Sequence, residues 1–183
     1  SHTNLAEALR LDAGIVENVR GVTIMGGALQ TAGNIHSDWP ANENRVAEWN
    51  IWVDPLAAQE VFRSGLLIQV TPLDATGQVT WTRTDAQAWS DSGTAEGARA
   101  AEVLEWMLDN WSPQGGYIWD LAAALHATDV RLCADTALSI DILTVPGVEQ
   151  GRMAVGEGAL NAEACLEADA GQMRAVALDV FNR

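Results

Sequence analysis

Two stretches of this sequence hold the residues best suited to chemistry. Residues 33–55 read GNIHSDWPANENRVAEWNIWVDP and set Asn34, Glu48 and Asn50 among Trp39, Trp49 and Trp52. Further on comes the pair Trp119-Asp120. Asn and Glu side chains supply donors and acceptors at short reach, which suits the vicinal hydroxyls of a sugar. Tryptophan supplies a flat face for a ring or a base. The first stretch follows a short apolar run, GVTIMGG, as a binding loop hung off a strand end would. The competing reading is a surface loop whose polar residues cap a helix at Asp54-Pro55. Asp120 alone reads equally as a first-turn acid favoured by the helix dipole. Alternation along a strand would put Trp49 and Asn50 on opposite sides, so not every indole can face a ligand. His36 reads as a solvated loop residue, and Asp38 and Glu43 as acids near the stretch.

The elements that must position these residues follow from periodicity. Residues 3–11, TNLAEALRL, place Leu5, Ala8 and Leu9 on one face of an amphipathic helix that Thr3 or Asn4 can cap. Ser1 and His2 read as the tail of a preceding loop or as a remnant. Residues 21–25 read as a short buried strand, and Gly26-Gly27 as a turn that allows close backbone approach. Pro55 opens a helix that Gly65 ends. Residues 66–70 are apolar throughout, as expected of a parallel strand covered on both faces. Strand, crossover helix, strand is the βαβ unit of an α/β sheet. Residues 74–89 read as short helical turns, 96–111 as a longer helix and 119–126 as another. Strands are expected at 130–145, 151–155 and 163–168, and a closing helix at 171–181. No repeat or linker interrupts the chain, so residues 1–183 are expected to form a single α/β domain with a mostly parallel sheet.

Composition narrows the classes. The 183 residues carry a net charge of −15, with all ten basic residues arginine. Such a surface repels phosphate backbones and argues against nucleic-acid binding. No apolar run is long enough to span a membrane. The first residues lack the plan of a signal peptide, and a cytoplasmic location is expected. Cys133 and Cys165 lack metal-ligand spacing and read as buried small apolar residues rather than a disulfide.

Five separated segments carry a family resemblance: Thr3-Asn4-Leu5-Ala6, MGGAL, AEWNIWVDPLAAQEVF, Pro72-Leu73-Asp74-Ala75-Thr76 and Trp119-Asp120. Together and in this order they resemble the inosine-uridine preferring nucleoside hydrolases. The resemblance implies the C-terminal portion of that α/β fold, with N-terminal strands and an aspartate-rich metal motif lying upstream of Ser1. It implies hydrolysis of the N-glycosidic bond of a nucleoside, with Ca2+ as cofactor. It assigns metal contacts to Asp120 and to the Thr3 carbonyl, ribose contacts to Asn34, Glu48 and Asn50, and the lining of the ribose pocket to Met25. Asp74 and Thr76 match a structural segment. Relatives of the inosine-uridine type carry a histidine just before the aspartate, thought to help the base leave. Trp119 stands there instead, as in the purine-preferring branch, so a catalytic stacking role for Trp119 and a purine nucleoside partner are expected. Asn34 lies further from Glu48 than in short-loop relatives, with Asn42 and Asn44 as competitors for its place. His126, two helical turns beyond Trp119, is not expected to be the missing acid. A homo-oligomer or a complementing N-terminal chain is expected as partner.

Overall fold

The computed structural model describes residues 2–183; Ser1 lies outside them. Its elements are α1 (Thr3–Leu11), α2 (Ile15–Asn18), β1 (Val22–Met25), α3 (Ile35–Asp38), α4 (Trp49–Trp52), α5 (Pro55–Phe62), β2 (Ile68–Thr71), α6 (Leu73–Thr76) and β3 (Thr80–Trp81). They continue with α7 (Arg83–Ser90), α8 (Ala95–Asn110), β4 (Gly116–Tyr117), α9 (Trp119–Thr128), a 3-10 turn (Val130–Leu132), β5 (Cys133–Ile142), β6 (Met153–Gly156), β7 (Ala162–Ala168) and α10 (Ala170–Phe181).

The central sheet runs β1-β2-β7-β5-β6, and β3 and β4 form a small separate hairpin. β1 pairs parallel to β2, and β2 parallel to β7. β7 and β6 both run antiparallel to β5. The α/β architecture is therefore the expected one, and its sheet is mixed. The parallel half is the βαβ unit of β1, α5 and β2. The antiparallel half follows from short connections between β5, β6 and β7.

Alternation in β2 divides the core. Ile68 and Val70 point into a cluster with Ala58, Val61 and Phe62 of α5 and Ala6 of α1. Gln69 and Thr71 point the other way and meet His126 of α9. A second cluster joins Trp81, Trp89, Leu104, Leu108, Leu125 and Met173, tying α7, α8 and α10 to α9. Helix α9 is thus fixed on both sides, with its first turn beside the C-terminal end of β1 and His126 beside that of β2. No helix among the described residues is long and apolar enough to cross a membrane.

The cysteine expectation is overturned. Cys133 and Cys165 form a disulfide across β5 and β7. The β5–β7 register places Cys133 opposite Ala168 and Asp135 opposite Cys165, with a bulge at Ala134/Asp135. That bulge brings the two sulfurs together, and a linear spacing carries no trace of it.

Candidate functional site

The site is built where β1 ends. Gly27 adopts φ +90°, and a Cβ there would lie 1.8 Å from Met153 Sδ. Gly26 is also close-packed, with room for a Cβ only 3.2 Å from Glu48 Oε2. The glycine pair lets Glu48 fold onto the strand end, where the Gly27 N–H donates to Glu48 Oε2 at 2.9 Å. The same oxygen caps α4 by accepting from Ile51 N. Glu48 is only 2% exposed. Burial raises its pKa above the usual carboxylate value, and the backbone donors around it only partly offset that.

The long spacing between Asn34 and Glu48 is closed by backbone pairing. Gly33 N donates to Arg45 O, Asn34 N to Ala47 O and His36 N to Asn44 O. A Cβ on Gly33 would lie 2.0 Å from Ala47 O, so the approach requires glycine. Asn34 Oδ1 then accepts from Trp49 N at 2.9 Å, which brings the start of the excursion to its end. Asn44 is buried inside the loop, donating to Gln150 O and accepting from Val46 N and Ala47 N. Asn42 accepts from Asn44 N. Both competitors are therefore taken up in holding the loop. His36 is half-buried and not solvated as expected, because its Nδ1 lies 2.7 Å from Asn42 O.

One cavity of about 520 Å³ is lined by Met25, Asn34, Asp38, Trp39, Glu48, Trp49, Asn50, Trp119 and Asp120. That volume is in the range of small-molecule sites. Four separate parts of the chain meet there: the end of β1, the 34–39 turn, α4 and the start of α9. Trp49 and Asn50 line it together, contrary to the alternation argument, because residues 49–52 are a helical turn and not a strand. Trp52 packs behind, its ring 5.6 Å from Trp49 and 6.0 Å from Trp39. Trp39, Trp49 and Trp119 are each 40–49% exposed, which is unusual for indoles and leaves three open aromatic faces. Trp119 is also stacked on Tyr117 at 6.0 Å. Asn50 Nδ2 donates to Met25 O at 3.3 Å.

A smaller cavity beneath is lined by His2, Met25, Asn50 and Asp120 with parts of β1 and Leu5. His2 escaped the sequence reading. It is 6% exposed, burial lowers its pKa to about 4, and its Nδ1 has no hydrogen-bond partner. It presents a neutral imidazole at physiological pH. Thr3, by contrast, does not line either cavity. It is not the cap of α1 either: that position is His2, and the Thr3 hydroxyl donates to Asp54 Oδ2 at 2.6 Å. Asp74 accepts from Leu29, Gln30 and Thr31 N–H groups, a structural clasp. Glu43 is exposed and not among the cavity residues. His126 is fully buried. Its contacts with Thr71 and Asp135 imitate a nucleophile–base–acid chain, but Thr71 is 0% exposed and no substrate reaches it.

The oxygens offered to a cation are few. Asp38 and Asp120 bring exposed carboxylates to the cavity, Glu48 Oε2 is committed to backbone donors, and Thr3, whose carbonyl was expected at the metal, lines neither cavity. Calcium takes about six to eight oxygens, so the described residues do not by themselves make a complete calcium site. A larger depression between α1 and α5 is lined by Arg10 and Glu60, which are bonded to each other, and it offers no comparable convergence of polar groups.

Comparison with known proteins agrees with this geometry. The chain is 28% identical over 143 residues to the inosine-uridine preferring nucleoside hydrolase of Leishmania major, covering 76% of this chain and 43% of that protein. It is 30% identical over 122 residues to the pyrimidine-specific ribonucleoside hydrolase RihB of Shigella sonnei (strain Ss046), covering 64% of this chain and 36% of that one. The chain thus spans less than half the length of these relatives. Among solved structures, the purine-preferring ribonucleoside hydrolase from Gardnerella vaginalis superposes with a TM-score of 0.84 at 23% identity, covering 99% of this chain and 58% of that one. The inosine-uridine preferring nucleoside hydrolase from Bacillus anthracis gives 0.82 at 23% identity, covering 98% and 57%. The sequence profile of the inosine-uridine preferring nucleoside hydrolases matches residues 1–175, and the chain belongs to that family.

Proposed function

We propose that the cavity binds a purine ribonucleoside, and that this chain is the substrate-holding part of a hydrolase that cleaves the N-glycosidic bond to ribose and free base. The observation that carries the reading is the convergence of Glu48, Asn50, Asp120 and Trp119 on one cavity from elements far apart in sequence. The ribose hydroxyls lie against Asn34, Glu48, Asn50 and Asp120, with Met25 beneath the sugar. The base lies among Trp39, Trp49 and Trp119.

N-glycosidic cleavage passes through an oxocarbenium-like state, so the enzyme must hold the sugar, supply a water and ease departure of the base. Glu48 is held by backbone donors in one orientation, which fixes its carboxyl toward the sugar with no loss of freedom on binding. The exposed Asp120 carboxylate, at the start of α9, accepts from the ribose hydroxyls and holds the ring in place. Trp119 stacks on the purine and favours its protonated form, the better leaving group, by cation–π attraction. Asp120 would hold calcium, whose remaining oxygens would come from water, sugar hydroxyls and another segment. β1 is a sheet edge, and a second copy or a complementing N-terminal chain is proposed to cover it.

A second reading is nucleoside or ribose binding without turnover, and the short donor set around Asp120 favours it. Calorimetry with inosine, ribose and 2′,3′-dideoxyinosine separates these from an unrelated function. Inosine is expected to bind, and the dideoxy analogue to lose about tenfold or more, as two buried hydroxyl contacts would require. Equal affinity for both nucleosides, or no heat with either, would remove the sugar-binding role. Base release from inosine that rises with added calcium then selects hydrolysis over binding alone.

A further inference from the structure

A second constellation lies two turns down α9 from the nucleoside cavity and is untouched by that reading. His126, Cys133, Asp135 and Cys165 each present one ligand atom, and the four atoms lie within 4.8 Å of one another. They come from three elements: α9, the two residues flanking Ala134 in β5, and the middle of β7. His126 and Cys165 are fully buried, and the Asp135 side chain keeps 21% of its surface exposed. His126 Nε2 lies 3.1 Å from the Asp135 carboxylate, while Nδ1 lies 2.9 Å from Thr71 Oγ1. A solvent-facing cavity lined by Gln69, Val130, Asp135 and Ala137 leads to the group from below the sheet.

We propose that this cluster is a redox-gated zinc site, closed as a disulfide in the oxidised chain and able to take one Zn2+ when reduced. Two thiolates, one imidazole and one carboxylate are each ligands that zinc takes, and four of them suit its tetrahedral geometry. With metal–ligand bonds of about 2.0–2.3 Å, the edges of such a tetrahedron are about 3.3–3.8 Å. The four donor atoms lie within 4.8 Å of one another, and the Gln69 amide, 3.0 Å from His126 Nε2, must turn aside for the metal. Thr71 plays the outer part: with the proton on Nδ1, His126 donates to Thr71 Oγ1 and turns Nε2 toward the metal.

A dithiol reductant delivers two electrons and two protons to the Cys133–Cys165 bond and leaves as its own disulfide. The two thiols release their protons as zinc binds. Any proton on His126 Nε2 passes to Nδ1. The resulting centre carries one net negative charge, with Asp135 at its solvent side.

Cobalt is the probe, because tetrahedral thiolate coordination gives near-ultraviolet charge-transfer and intense visible bands. Under dithiol reductant the full chain is expected to bind one equivalent of Co2+ with that spectrum and to yield it to Zn2+. The oxidised chain is expected to show no such bands. Thr71→Val, nearly isosteric, is expected to weaken binding about 10–100-fold, and Asp135→Asn to weaken it while circular dichroism stays unchanged. An octahedral spectrum, no binding, or full binding by a Cys133→Ser/Cys165→Ser chain would overturn the proposal. Alkylation of the reduced wild-type chain needs no variant: zinc should protect both thiols, and equal labelling with and without zinc contradicts the site.

Discussion

At the scale of single residues, Glu48 is where stability and binding pull against each other. Its side chain caps α4 and pins the turn at Gly27, yet burial raises its pKa. A carboxyl whose folded pKa is raised binds more protons folded than unfolded. Its contribution is therefore present below the unfolded value of 4.5 and is lost as pH rises through the folded value. Glu48→Gln keeps an acceptor for both N–H groups and removes the charge. It is expected to melt at a higher temperature than wild type at pH 8, by a margin that shrinks toward pH 5, while inosine affinity falls about tenfold. A margin independent of pH would show that burial of charge is not the cost at this position. Asp54 is the opposite case. The Thr3 hydroxyl bond lowers its pKa, as does the Ala57 N–H that it caps. Its contribution is present above the unfolded value of 3.8 and is lost as pH falls below it. Asp54→Ala is expected to cost about 1–2 kcal/mol in urea unfolding at pH 7, and less at pH 3.

At the scale of elements, the site depends on a loop that folds back on itself. Gly33→Ala would place a methyl 2.0 Å from Ala47 O. It is expected to cost about 2–3 kcal/mol and to weaken nucleoside binding with it, because Asn34 would lose its place beside Trp49. Unchanged affinity in a folded Gly33→Ala chain would remove Asn34 and Trp49 from the account. Much of this level was legible in the sequence. Apolar periodicity located α1, β1, α5, β2, α8 and α9, since each buries a regular stripe or run. The family resemblance named Glu48, Asn50 and Asp120, whereas residue chemistry alone read Asp120 as a first-turn helix acid. What escaped were features made by long-range geometry. The helical turn at 49–52 overrode strand alternation. The 34–47 pairing turned a suspicious gap into a closed excursion. The β5 bulge joined two cysteines 32 residues apart. His2 gave no signal, because a lone histidine ahead of a helix has no periodic context, and it is the packing of α1 on α5, with the Phe62 ring 6.3 Å away, that buries it.

At the scale of the molecule, α9 is the shared spine. It carries Trp119 and Asp120 into the tryptophan-lined cavity and His126 to Asp135, beside the Cys133–Cys165 bond. Closing a loop of that 32-residue separation is worth about 3–4 kcal/mol in the chain-entropy description. Reduction in the presence of a chelator is expected to lower the urea midpoint accordingly, with added zinc restoring part of it. Identical midpoints with and without reductant would mean that the cross-link constrains little. The proposed seat of the purine can be tested on the whole chain at once, because its eight tryptophans divide between cavity and elsewhere. In a nitrogen-15 spectrum titrated with inosine, the indole N–H signals of Trp39, Trp49 and Trp119 are expected to move together, with those of Trp81, Trp89, Trp106 and Trp111 still. No movement at saturating nucleoside, or movement confined to the Trp106–Trp111 pair, would contradict a purine seated over Glu48, Asn50 and Asp120.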